Sequence, residues 1–287
     1  MSNEVSPNTA STQPSAGVHQ DFEFDLPPFP STASKLVSEL NSPEADVPTV
    51  VQLIECEPKI ASRVIQLANS PVYGASRPIT TIGHGIVLLG FKSVGQIALT
   101  MVAGDLFDNP DEDCRDGLRD VYCRSLAVAI TARLLAKETR LCSPDEAFLG
   151  GVMHDIGKVV FFNSAGSEYA KHQAELDDSS LLAFEQDRFG TTHAEVGEIC
   201  GRKWGLPVAI TTAIRDHHSN YPQTEDGLTQ SVISGEYFAQ KWSLGFKEGQ
   251  HLGRVEEIEV EFESTANEAF QLQCQEQFEC ISEICFN

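Results

Sequence analysis

The chain has 287 residues, 41% of them apolar, enough for one large domain or two small ones around a sizeable core. Its 42 acidic residues outnumber 20 basic ones, giving a formal net charge of −22 with no Lys/Arg cluster to interrupt it. Such a surface repels a nucleic-acid backbone or an anionic membrane, which argues against a nucleic-acid partner, and no apolar run reaches the roughly 18 residues that would allow membrane insertion.

Residues 1–21, rich in Ser, Thr, Pro, Asn and Gln, bury too little apolar area to offset the entropy of ordering and are expected to form a disordered tail. Leu26-Pro27-Pro28-Phe29-Pro30 is a stiff extended lead-in, because proline fixes φ and disfavours helix at the residue before it. Ser31 then caps a helix whose Ala33, Leu36, Val37 and Leu40 share one face. Pro48 and Pro58 each open a further helix. Thr81 caps a short one with Ile82, Ile86 and Leu89 inward, ended by Gly90. Another carries Val94, Ile97, Ala98 and Met101, and the acidic turn Asp108 to Asp113 is the best internal boundary.

A long helix is expected from about Asp116 to Lys137. Ser143-Pro144-Asp145-Glu146 reads as a capping box opening a helix that runs through Ile156, and Thr192-His193-Ala194-Glu195 as a second. Further helices reach His217-His218 and span about Leu228 to Trp242. Val255 to Phe262 alternates with a period of two, yet is heavily acidic, and is ambiguous between strand and helix. The fold class is therefore all-α. The expected organisation is a tail (1–21), an N-terminal helical half (22–110), a second helical half (111–220) and an acidic helical extension (221–287). The eight cysteines are scattered without a CxxC pair, and with no export signal they are expected to be reduced in a cytoplasmic protein. Cys274, Cys280 and Cys285 lie on an expected C-terminal helix as packing residues.

Five of the eight histidines fall in the second half, as His154-Asp155, His193 and His217-His218. Imidazole nitrogens and carboxylate oxygens suit Fe, Mn, Zn or Ni, and three separate helices could bring them together in a bundle core. His217 follows Ala213 and Ile214 on their apolar face, and an ionised Asp155 inside an apolar helix needs a cation or hydrogen bonds to compensate.

The segment Gly150-Gly151-Val152-Met153-His154-Asp155-Ile156-Gly157-Lys158 resembles the signature of the HD superfamily, which includes metal-dependent phosphohydrolases. Leu26 to Pro30, Leu67-Ala68-Asn69-Ser70-Pro71-Val72-Tyr73-Gly74, Ile79 to Ile82, Leu88-Leu89-Gly90, His193 to Gly197 and Trp204-Gly205-Leu206-Pro207 resemble the HDOD (HD-related output domain) family, over roughly Phe24 to His218. The resemblance implies an HD-like helical bundle and a bacterial signalling role. It also implies a leading metal-ligating His where this chain carries Arg124, and a closing Asp where it carries Glu236. Glutamate can ligate a metal, but a guanidinium stays protonated and offers no lone pair.

Three readings of Arg124 follow. It is an internal cation paired with Asp155 or Glu236, it points outward, or a metal persists on His154, Asp155, His193, His217 and His218 without it. Lys158 is a phosphate contact or a solvated helix-end lysine, and His84 is expected at the surface. The preferred function is a signal-transduction output or scaffold domain with a degenerate HD pocket. It requires no cofactor and acts on a signalling protein through a surface near Tyr73, or by sensing a ligand such as a nucleotide. The alternative is a phosphohydrolase using a divalent metal on a nucleotide or cyclic dinucleotide.

Overall fold

The computed structural model describes residues 26–40, 42, 44–70, 77–107, 111–219, 225–246 and 256–286. The expected tail, the segment around Tyr73 and part of the 108–113 turn lie outside them. The described residues are helical with no strand, as the periodicity predicts.

The proline lead-in ends where Pro30 O accepts the first helical bond, from Ser34 N, of α1 (Ser31–Leu40). Asp46 caps α2 (Val47–Glu55) by accepting from Thr49 N, and α3 (Pro58–Ala68) buries Ile60, Val64, Leu67 and Ala68. Thr81 caps α4 (Ile82–Leu89) by accepting from His84 N, and Gly90 supplies the positive φ (88°) that turns the chain directly into α5 (Phe91–Gly104). His84 is exposed, as expected.

The second half is built on α6 (Glu112–Thr139), whose 28 residues make a rod about 42 Å long and begin before the expected Asp116. Against it pack α7 (Pro144–Met153), α8 (Ile156–Ala165), α9 (Ser167–Glu175), α13 (Gly227–Lys241) and α15 (Glu268–Phe286). Between them in sequence lie α10 (Asp178–Phe189), α11 (His193–Lys203), α12 (Val208–Asp216) and α14 (Glu256–Phe262). Gly151 lets α7 approach α6, since a Cβ there would stand 2.6 Å from Ala129 N. Gly157 does the same for α8 on α11, where a Cβ would strike the carbonyl of His193.

Two expectations need correction, and one open alternative is decided. The helix opened by Pro144 does not run through Ile156. It stops at Met153, and His154-Asp155 form the corner between α7 and α8 rather than an interior turn. Ser143 makes no side-chain capping bond, so only the proline at the first turn was read correctly there. The alternating segment before Phe262 is the helix α14, with Ile258 and Phe262 buried four residues apart on one face. The Thr192 capping box, by contrast, is complete in both directions.

The buried apolar residues form one cluster from Ala33 to Cys285, so both halves share a core. The C-terminal α15 packs on both α6 and α3, placing Phe286 edge-on to Tyr122 and burying Cys274 and Cys285. No described helix is long and apolar enough to cross a membrane.

Candidate functional site

The corner between α7 and α8 turns two polar side chains into the core: His154 is 1% exposed and Asp155 2%. The start of α11 supplies His193, fixed by its capping box, and the end of α12 supplies His217 and His218. One ligand atom each from Asp155, His193, His217 and His218 lie within 4.8 Å of one another. His193 Nε2 stands 2.9 Å from His218 Nε2 and 3.3 Å from Asp155 Oδ1, and His217 Nε2 stands 3.7 Å from the same oxygen.

Backbone and carboxylate partners orient the rings. The Nδ1 atoms of His154, His217 and His193 lie 2.7 Å from Gly151 O, 2.6 Å from Ile214 O and 2.8 Å from Glu185 Oε2. Engaging Nδ1 leaves Nε2 for the interior, the usual way a protein presents imidazole to a metal. Asp155 Oδ1 and His217 Nε2 are buried with no hydrogen-bond partner among the described residues, although orphaned buried polar atoms are costly. This donor set fits a divalent transition metal, and Asp155, His193, His217 and His218 are the residues able to hold it.

His154 stands behind that group. Its Nε2 faces Asp155 Oδ2 at 3.6 Å and Glu236 Oε1 at 3.9 Å, and its ring meets His217 edge-on.

The other oxygen of Asp155 is taken. Lys158 Nζ donates to Oδ2 at 2.7 Å, and Lys158 is 2% exposed, so the solvated helix-end reading of this lysine is wrong. Lys158 lies one helical turn after Asp155, inside the first turn of α8. The expected pairing of Arg124 with Asp155 or Glu236 is absent among the described residues. Arg124 donates to Asp120 O at 3.4 Å and lies over the Phe246 ring at 5.8 Å.

Burial alone would raise the Asp155 carboxyl, but the Lys158 ammonium and the surrounding histidines hold it well below the usual carboxylate range. Burial opposes a charged His193, yet the Glu185 carboxylate outweighs it and pushes the imidazole up to about 9. Burial pushes His154 down to about 3 and lowers His217 and His218. Burial, with Asp178 and Asp155 nearby, pushes Glu236 up to about 8. Near neutral pH the cluster thus holds two cations, Lys158 and His193, against two anions, Asp155 and Glu185.

Sequence reading missed Glu185 and Tyr169. Glu185 is fully buried, accepts from Tyr169 Oη at 2.5 Å and from His193 N at 2.8 Å, and sits on the apolar face of α10 between Leu181 and Phe189. A carboxylate four residues from a buried apolar residue on either side was the available signal.

A model of the HDOD domain matches residues 26–220. Among solved structures, an HDOD domain protein of unknown function from Geobacter sulfurreducens is 25% identical, with a TM-score of 0.68 over 91% of this chain and 92% of that one. A candidate metal-dependent phosphohydrolase from Shewanella amazonensis is 16% identical, with a TM-score of 0.67 over 91% and 93%. A candidate signal transduction protein from Marinobacter aquaeolei is 21% identical, with a TM-score of 0.64 over 91% of this chain and 60% of that one. At those two identities the likeness is one of fold. An uncharacterised Treponema pallidum protein is 21% identical over 229 residues, which span 79% of this chain but only 43% of that relative. With the family's model covering both helical halves, the His-Asp corner of the second included, this chain belongs to the HDOD family.

Proposed function

We propose that this chain is a signal-transduction output domain whose HD pocket is structural rather than catalytic. The observation that carries this reading is the Lys158 ammonium on Asp155, 2.7 Å away inside the core. With His193 and Glu185 it balances the buried charge using protein groups alone. Two positions support it: Arg124, where the resemblance places a leading histidine, has no lone pair to give a metal, and Lys158 covers one oxygen of the central carboxylate. Output then passes through contacts with a signalling protein, consistent with the candidate signal transduction protein that shares the fold.

A second reading is favoured by the two orphaned atoms, Asp155 Oδ1 and His217 Nε2, within the convergent donor set. In that reading Asp155, His193, His217 and His218 hold a divalent metal, which supplies Lewis acidity for phosphate-ester hydrolysis. Glu185 then keeps the His193 ring oriented, and binding releases the proton His193 otherwise carries.

Metal content by mass spectrometry on protein purified without chelator separates the two, with a His193→Ala control and a phosphomonoesterase and phosphodiesterase assay in added Mn, Fe or Zn. The structural reading predicts substoichiometric metal and no phosphate release. Stoichiometric metal that disappears in His193→Ala, together with hydrolysis, overturns it.

A further inference from the structure

Two helices that contribute no candidate ligand, α9 and α10, meet the cluster from outside. Tyr169 on α9 is 0% exposed. Its ring lies tilted against Phe161 at 5.3 Å and edge-on to Phe162 at 5.1 Å and to Phe189 at 6.4 Å. A phenylalanine would make every one of these contacts. The hydroxyl is the part of the side chain that packing does not explain, because taking it out of water costs free energy that a plain ring does not.

That hydroxyl reaches Glu185 Oε1 at 2.5 Å. Burial and the Glu185 carboxylate push the phenol well above its usual range, so it keeps its proton and donates. Glu185, on α10, is also 0% exposed. Its Oε2 accepts from His193 N at 2.8 Å, and His193 Nδ1 lies 2.9 Å from Oε1 and 2.8 Å from Oε2. The last torsion of a glutamate has only broad preferences, so its own rotamers do not fix the plane of the carboxylate. Donors must fix it. His193 supplies them from α11, and Tyr169 supplies one from α9, independent of the ring that is to be held. The far edge of that ring is the one facing the cluster, with Nε2 at 2.9 Å from His218 Nε2 and 3.3 Å from Asp155 Oδ1. A carboxylate free to turn would carry Nδ1 with it and shift Nε2 against both neighbours.

We propose that Tyr169 is a positioning residue of the His/Asp cluster: its hydroxyl holds the Glu185 carboxylate and through it sets where His193 Nε2 stands between His218 and Asp155. This rests on the reading of the pocket as a fixed network of protein groups, and it extends that network outward to α9.

The test is long-range proton–nitrogen NMR of the histidine rings in the chelator-stripped full chain, at one pH, with thermal unfolding of the same samples. Wild type, Tyr169→Phe and Phe161→Leu are compared. Tyr169→Phe keeps the ring and removes the hydroxyl, whereas Phe161→Leu loosens the same aromatic packing and keeps the hydroxyl. The expected result is that Tyr169→Phe moves the His193 and His218 ring cross-peaks and lowers the midpoint by less than about 5 °C. Phe161→Leu should lower the midpoint at least as much and leave those cross-peaks in place. Cross-peaks unmoved in Tyr169→Phe overturn the proposal. So do cross-peaks moved at least as far by Phe161→Leu, which would make packing the cause, and a Tyr169→Phe chain that does not fold, which would make the hydroxyl a requirement of the fold. Calorimetric titration of Zn into the same samples tests the underlying reading separately. Stoichiometric Zn in wild type overturns the metal-free network while leaving the metal-free NMR comparison standing. Tyr169→Phe should in that event bind Zn at least about tenfold more weakly, and equal affinity would count against the positioning role.

Discussion

The helices α1 to α5 and the helices around the His-Asp corner use the same kind of secondary structure for different ends. In the first region the buried set is almost wholly apolar, with Leu36, Ile54, Val64 and Leu67 at 0% exposure, and among its described residues the buried polar side chains are Ser70 and Thr100. In the second, Asp155, Lys158, Glu185, His154, His193 and His217 lie at 2% exposure or less. Apolar packing is non-directional and tolerates substitution at the cost of transfer and cavity terms. A buried charge network depends on every partner being present. The N-terminal region is therefore read as packing and the corner as a site whose chemistry was kept at a cost in stability.

Four substitutions sharpen or break that contrast. Lys158→Met leaves the Asp155 carboxylate buried without its ammonium and should destabilise the metal-free protein by about 3–5 kcal/mol in urea unfolding, most of it restored in the double variant with Asp155→Asn. If the double variant is as unstable as the single one, the ion pair is not what the cluster depends on.

Leu36→Ala, in the apolar region, should cost about 2–5 kcal/mol with no effect on the histidine titrations followed by NMR. Histidine shifts that moved with Leu36 would show the two regions to be one network.

Glu185→Gln tests the pH dependence. His193 is pushed up to about 9 when folded, so its stabilisation is complete below its unfolded value of 6.5 and is lost as pH rises through about 9. Glu236, pushed up to about 8, acts in the same direction. Metal-free wild type should lose stability between about pH 6.5 and 9, and Glu185→Gln should flatten that slope by removing the carboxylate that holds the proton on His193. An identical slope in the variant would show that His193 does not carry the effect.

The smallest effect is expected for Thr192→Ala, which removes the capping box that sets the first turn of α11 and should cost about 1 kcal/mol by thermal unfolding. A loss well beyond that would mean Thr192 supports His193 in some further way.

The helices were legible because each has an apolar face and recognisable punctuation: Thr81, Thr192 and Gly90 act where they were placed. The break at His154 was not, because Val152, Met153 and Ile156 continue the apolar pattern across the corner, and only the close approach of Gly157 to His193 marks it. Of the five candidate ligands that residue type on successive helices suggests, Asp155, His193, His217 and His218 converge, while His154 stands behind them. The cation that pairs with Asp155 was not legible. Arg124 as that cation is one of the three readings its place in the resemblance suggests, whereas Lys158 is one helical turn from Asp155 and reaches Oδ2 directly. Glu185 and Tyr169 escaped notice because burial of a lone polar group depends on how neighbouring helices pack.

The most direct measurement is calorimetric titration of Mn or Zn into chelator-stripped wild type and Lys158→Met. If the ammonium does the work of a metal at Asp155, the wild type binds weakly and the variant binds at least about tenfold more tightly, recovering stability as it does so. Stoichiometric binding in the wild type, as tight as in the variant, would contradict the account and make the His/Asp cluster a working metal centre.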